Sequence, residues 1–222
     1  MCASAVQFSE IEITNGETMT SILIFAAIVI FSYLIGCFSA AKLIAKSYKS
    51  INIYKVGTGH PDTLNIYSNI DKSLGIFTGI VDLGKVFFYL YLLQYLLNIP
   101  SSIEWIGTNI GTENHLLIFG FSMVIGHCLP ITHKFRGGRG LFSYIGFVAF
   151  FAPWPMIIIA FLALLIVMFF KQIRFAQYMI VLLPPFINFF FAQHKSFVGK
   201  MFIAAALMAI INFVVSKKKG EI

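Results

Sequence analysis

An all-α, polytopic membrane bundle of about seven spans is the fold this sequence predicts, with the N-terminus outside and the C-terminus in the cytoplasm. Three observations predict it. The chain is 59% hydrophobic and only 11% charged. Its mean hydropathy of +0.86 is far more apolar than a soluble domain of 222 residues needs to be. Its apolar runs are of span length, and its cations concentrate in the short loops between them. The 25 Phe suit lipid-facing helices better than a β-barrel, whose strands would alternate polar and apolar residues.

Residues 1–20 carry Glu10, Glu12 and Glu17 and no Lys or Arg, without the basic start and short apolar core of a signal peptide. They are expected to form a disordered polar tail. Because Met19 directly precedes the first span, they could also be an extension upstream of the native start. Residues 21–222 are expected to be one integral-membrane domain. A crossing helix needs about 20 apolar residues. The expected spans are Ser21–Ala45, Leu74–Leu97, Leu116–Leu129, Leu141–Ala152, Trp154–Phe170, Phe175–Phe191 and Val198–Val215. The third and fourth are short, so five crossings plus a re-entrant hairpin is the second choice.

Charge placement sets the sidedness. Lys46, Lys49, Lys55 and Lys72 lie between spans one and two, and Lys134, Arg136 and Arg139 between three and four. Lys171 and Arg174 lie between five and six, and Lys217, Lys218 and Lys219 follow span seven. The loop from Asn98 to His115 carries Glu104 and Glu113 but no Lys or Arg. This alternation places the cationic loops in the cytoplasm. Lys195 and Lys200 are the exception, on the expected outer side. The net charge of +7 therefore reflects topology and anionic headgroups, not nucleic-acid binding. The three Cys show no C-x-x-C spacing, so neither a structural disulfide nor a metal cluster is expected, and no cofactor is implied.

The chemistry-bearing stretch is Gly126–Gly140, GHCLPITHKFRGGRG. Pro130 stops the preceding helix. Gly137, Gly138 and Gly140 let backbone N–H groups approach a ligand closely, and the apolar run from Leu141 offers a helix N-terminus to an anion. An ordinary basic loop is the competing reading. On the same expected face, Gly57–Asn65 (GTGHPDTLN) crowds Thr58, His60, Asp62, Thr63 and Asn65 into nine residues, with Gly57 and Gly59 freeing the backbone. Asp62 or Thr63 could cap a following turn. Asp82 and Lys85, at i, i+3 within the second span, are either an intramembrane site or an ion pair fastening helices. His127 and His133 could act as a general base or simply end a helix. The sequence has no G-x-S-x-G, no H-E-x-x-H and no Walker-type phosphate loop, which removes the usual hydrolase, zinc-protease and ATPase readings.

From about Ser32 to Glu221 these stretches resemble the PlsY family, bacterial membrane glycerol-3-phosphate acyltransferases that use acyl phosphate as donor. Ser32–Gly36 resembles S-Y-L-x-G. Gly57, Gly59 and Asn65 match G-S-G-N-x-G-A-T-N, and Asp82 and Lys85 fall on D-x-x-K. The second loop resembles G-H-x-x-P followed by F-x-G-G-K-G, and Asn212 and Glu221 keep the spacing of the family's closing Asn and Glu. There are departures. Cys37 replaces a serine, Tyr54 an arginine, Asp62 a glycine, Ala209 a histidine, Val215 an arginine, and Arg139 the motif lysine.

The resemblance implies acyl transfer to glycerol 3-phosphate, in phospholipid synthesis, at the cytoplasmic face of a bacterial-type inner membrane. An acyl phosphate can be attacked directly by an alcohol, so no enzyme nucleophile is needed. Candidate phosphate or substrate contacts are Gly57, Thr58, Gly59, Asn65, Lys85, Lys134, Gly137, Gly138, Arg139, Gly140, Asn212 and Glu221. Arg139 would steady charge, and His60, His127 or the acceptor's own phosphate would take the hydroxyl proton. The expected partners are acyl phosphate, glycerol 3-phosphate and membrane lipid. Other readings stay open: a relative that binds lipid or a membrane partner without turnover, one acting on another polyol phosphate, or a small transporter built around Asp82 and Lys85.

Overall fold

The computed structural model describes the backbone of residues 2–98, 112–191 and 195–217, with side chains for 19–98, 112–190 and 197–217. Its described elements are helices joined by turns. They are α1 (Cys2–Gly36), α2 (Ala40–Lys49), α3 (Thr63–Asn69), α4 (Lys72–Leu97), α5 (Glu113–Cys128), α6 (Leu141–Phe151), α7 (Pro153–Phe170), α8 (Ile173–Phe191) and α9 (Lys195–Lys217). Single 3₁₀ turns at Ile53–Lys55 and Ile131–His133 sit in the two loops singled out by sequence.

Among the described residues, six helical stretches are long and apolar enough to span a membrane. The stretch containing α5 has 61% of its apolar window buried and no other exceeds 33%, so α5 is the axis of the bundle. It packs against α1 on one side and against α4, α6 and α9 on the others. Met123, Val124 and Cys128 of α5 share one core with Val86 and Leu90 of α4 and with Tyr144 and Phe147 of α6. The outer faces carry large apolar side chains such as Trp154, Phe169, Phe170 and Phe190, as helices solvated by lipid should.

The structure differs from the sequence reading in two places, the N-terminal stretch and the first span. Helical backbone continues upstream through the stretch read as a disordered tail, to Cys2. Once a span is nucleated, each added turn costs little. The first span, expected to run unbroken to Ala45, stops at Gly36 and restarts as α2, whose N-cap Ser39 accepts a hydrogen bond from the Lys42 N–H. The expected fourth span is as short as the sequence indicated: it is a helix of 11 residues, about 16 Å long and so roughly half of the hydrocarbon thickness. It starts only after the Gly137–Gly140 turn, and Pro153 at the first position of α7 closes it.

Helices α1 and α5 cross where both lack side chains. A Cβ on Gly126 would overlap the Tyr33 carbonyl, and one on Gly36 would overlap the Met123 backbone. Gly199, in α9, has nothing within 4 Å of where its Cβ would be. Gly199→Ala should therefore leave thermal stability in detergent unchanged or raised by up to about 1 kcal/mol. Gly126→Ala should lower it by about 1–3 kcal/mol. Melting of the two variants in the same direction would contradict this crossing.

Candidate functional site

The first loop is built around Asn65, which is fully buried. Its Nδ2 donates to the Val56 carbonyl at 3.0 Å and to the His60 carbonyl at 2.9 Å. Its Oδ1 accepts from the Thr58 N–H at 3.1 Å and from Asn69 Nδ2 at 3.0 Å. One side chain thus stands in for the backbone ladder that a tight loop lacks. Gly57 holds φ +56° directly over it. Asp62 caps α3 as the sequence suggested, its Oδ1 accepting from the Asn65 N–H at 2.9 Å. Thr58 and Asn65 therefore shape the loop, and what the loop delivers is Asp62 and a fully buried His60.

The second loop leaves α5 at Cys128 and folds back on it, with the Gly138 N–H donating to the His127 carbonyl at 3.3 Å. A Cβ on Gly138 would lie 2.8 Å from His127 Nε2, 2.9 Å from the Asp62 Cβ and 3.0 Å from the Pro61 carbonyl. The two glycine loops are thus in van der Waals contact. Tyr54 adds a second tie, its hydroxyl donating to the Arg136 carbonyl at 3.3 Å. The next residue after Gly138 makes the main polar link: Arg139 Nε donates to Asp62 Oδ2 at 2.8 Å, and Nη2 approaches Oδ1 at 3.4 Å. Side-chain exposure at this pair is 12% for Arg139 and 9% for Asp62. Burial by itself would raise the Asp62 carboxyl, but the Arg139 charge, its hydrogen bonds and the Asn65 N–H hold it below the usual carboxylate range.

Below the loops, Lys85 is a fastener. Its Nζ donates to the Phe38 carbonyl at 2.9 Å and to His127 Nδ1 at 2.9 Å, and lies 3.2 Å from Asp82 Oδ1. These three partners match the three donors of an ammonium group. They join the end of α1 to α4 and α5. Because Nδ1 accepts from Lys85, the His127 ring proton sits on Nε2, on the side facing Gly138.

Three cavities surround Arg139 and its loop. A small one of about 20 Å³ lies among Asp62, Thr63, Asp82, His127 and Arg139. One of about 270 Å³ opens between α8 and α9, with Arg139, Arg174, Gln177, Tyr178, Asn212 and Ser216 in its wall. One of about 300 Å³ lies on the other side of the glycine turn, against His60, Phe135, Arg136, Gly137 and Val215. Sequence reasoning placed Arg139, His60, Gly137 and Asn212 among the candidates, and each borders one of the two large cavities. Gly140 and His127 border the small one. Lys134 is exposed and lines none of the three, and Lys85 is turned away into its own three-partner cluster. Glu221 lies outside the described residues.

Asp62, Arg174, Gln177 and Ser216 were missed as site residues. Arg174 and Gln177 stand at i, i+3 and so share a helix face, a signal that was legible. Among the described residues, no group of three or more His, Cys, Asp or Glu could hold a metal ion.

Two outcomes test this geometry. Lys85→Met leaves Asp82 buried and unpaired and should cost about 3–5 kcal/mol of stability. The double variant Lys85→Met/Asp82→Asn should recover part of it, so equal melting of single and double would refute the fastener. The folded-state pKa of Asp62 lies below its unfolded value near 3.8. Its stabilisation is therefore complete above that value and is lost as pH falls through the folded one. From about pH 5 downward to about pH 2 the wild-type melting temperature should fall more steeply than that of Asp62→Asn, and parallel curves would contradict the pairing.

A family model described as glycerol-3-phosphate acyltransferase matches residues 26–222 of this chain. The curated glycerol-3-phosphate acyltransferase of Thermosynechococcus vestitus is 28% identical over 194 residues, covering 86% of this chain and 89% of that protein. The one from Fusobacterium nucleatum is 25% identical over 198 residues, covering 89% and 92%. A crystal structure of PlsY, an integral membrane glycerol 3-phosphate acyltransferase, in its glycerol 3-phosphate form, aligns with a TM-score of 0.69 at 21% identity. It covers 89% of this chain and 90% of that one, a likeness of fold. With its glycine turns packed together and nearly all of its length matched, this chain belongs to the glycerol-3-phosphate acyltransferase family.

Proposed function

We propose that this protein moves an acyl group from an acyl phosphate to a hydroxyl of glycerol 3-phosphate, forming lysophosphatidate at the cytoplasmic face of a bacterial cell membrane. The observation that carries the reading is the position of Arg139. It stands where two glycine loops touch, in the wall of a cavity large enough for a small phosphate ester, and Arg174 shares that wall. The curated relatives bear the acyltransferase name, and the solved relative was captured with glycerol 3-phosphate.

The reaction needs little covalent chemistry from the protein. The acceptor oxygen attacks the carbonyl carbon, a new ester C–O bond forms, and the C–O bond to phosphate breaks with its electron pair leaving on phosphate. The hydroxyl proton passes to a phosphate oxygen or to His60, which lines the cavity on the other side of the turn. His127 is a poorer candidate for that proton, because its Nδ1 already accepts from Lys85. What remains for the protein is to hold two phosphate-bearing reactants close together and to offset the charge growing on the leaving phosphate. Arg139, Arg174 and Asn212 suit that work, and the apolar residues near both cavities suit the acyl chain. The Asp82/Lys85 pair that suggested a transporter is locked to Phe38 and His127, which supports transfer over transport.

Purified protein in detergent should transfer labelled acyl groups from acyl phosphate to glycerol 3-phosphate. Arg139→Ala should lower the rate by about 10²–10³, the usual effect of losing one donor aimed at developing charge. Absence of transfer by the wild-type protein to any polyol phosphate would end the enzymatic reading.

A further inference from the structure

We infer that Asp62 is a positioning residue for Arg139, holding the guanidinium at the mouth of the cavity between α8 and α9 in the orientation that meets a phosphoryl group. This inference rests on the acyl-transfer reading for its kinetic consequence, but not for its physical basis.

The argument begins with backbone freedom. Arg139 is flanked by Gly138 and Gly140, and Gly140 holds φ +73°. A long side chain on such a turn has no rigid helix or strand to aim it, and Arg has many rotamers to lose. The structure supplies the aim from another segment. Asp62 grips Arg139 three times: Nε at 2.8 Å, Nη2 at 3.4 Å and the backbone N–H at 3.4 Å. Turn and side chain are therefore fixed by one carboxylate.

Asp62 is itself fixed. It is buried, it caps α3 through the Asn65 N–H, and its Cβ is packed under Gly138. Asn65 in turn carries the whole first loop through four further hydrogen bonds. The rigid object in this region is thus the first loop, and rigidity passes to the second through Asp62. Preorganised charge accelerates a reaction only when it need not reorient as the reaction proceeds.

The pair also accounts for two departures from the motifs that this chain otherwise resembles. A carboxylate stands at 62 where those motifs have glycine, and arginine stands at 139 where they have lysine. The two substitutions are the two ends of one salt bridge. A planar fork suits a bidentate carboxylate, whereas an ammonium is a point charge that would grip it less directionally. Each change makes sense in the presence of the other.

The test is a set of variants assayed with acyl phosphate and glycerol 3-phosphate. Asp62→Asn keeps the helix cap and the side-chain shape but removes the charge. It should lower kcat by at least about tenfold while changing KM for glycerol 3-phosphate by less than about threefold. Arg139→Lys and Asp62→Gly should each lose a similar factor, and the double variant Asp62→Gly/Arg139→Lys should recover activity above either of these two single variants. That recovery is a signature that a purely structural role at position 62 would not produce. Wild-type kinetics in Asp62→Asn, or faster turnover, would overturn the inference, and so would single-variant losses that merely multiply in the double. If the wild-type protein transfers no acyl group, the function fails separately. The inference is then read from the rise in melting temperature caused by inorganic phosphate. The rise should be smaller in Asp62→Asn than in wild type, and an equal or larger one refutes it.

Discussion

The two glycine loops meet through the space that Gly138 leaves empty. Any side chain there would press on the His127 ring on one side and on the Pro61 carbonyl and the Asp62 Cβ on the other. The contact is made of backbone and short atoms, so it has no slack. Once it is made, Arg139 lies beside Asp62, His60 falls on the far side of the turn, and the cavities open to either side. Remove the contact and these groups belong to two separate surface turns. A membrane bundle can place helices to within a side chain's length, but a site needs finer placement. Here that placement comes from glycine, because close backbone approach leaves few alternative arrangements.

The bundle beneath is arranged to hold that contact. Helix α5 delivers His127 and Cys128 to the second loop, and its own position is fixed by the side-chain-free crossing with α1. The Lys85 cluster then pins the end of α1 to α4 and α5 within a few ångströms of the glycine turn. A charge in the bilayer interior is costly when unpaired, roughly 2.5–3.5 kcal/mol on insertion scales. With Asp82, His127 and the Phe38 carbonyl gathered round it, Lys85 turns that cost into a constraint: the cluster is tolerable only in this one arrangement.

Much of this was legible from the chain because it is local. Apolar runs and the alternation of cationic loops gave the helical membrane class, and six of the seven expected spans match single helices closely. The glycine turns were visible as composition, and the capping role of Asp62 as a residue type before a short helix. What was not legible is tertiary. The break after Gly36 lies where α5 packs closely, and the sequence marks it only by Gly36 and the N-cap Ser39 inside an otherwise apolar run. The Asp62–Arg139 link spans 77 positions and the Lys85–His127 link 42. No periodicity reports a pairing of that reach. Lys134 entered the candidate set by its charge in the loop, and Lys85 by its i, i+3 spacing to Asp82 and the likeness to D-x-x-K; neither signal says which way a side chain is turned.

The contrast between Lys85 and Arg139 shows how one kind of charge serves two ends. Both are cations near the same glycine turn, and both face a buried aspartate. Lys85 is surrounded: it donates to the Phe38 carbonyl and to His127 and lies against the Asp82 carboxylate, and neither of the two large cavities includes it. Arg139 is gripped by its carboxylate yet still forms part of a cavity wall, beside a second arginine. An ammonium spent on a fold has nothing left for a ligand. A planar guanidinium held by one edge keeps its charge directed across its plane. The position that faces the cavity therefore favours arginine once an aspartate is placed beside it. The position buried among helices is well served by lysine, whose compact head can be enclosed completely.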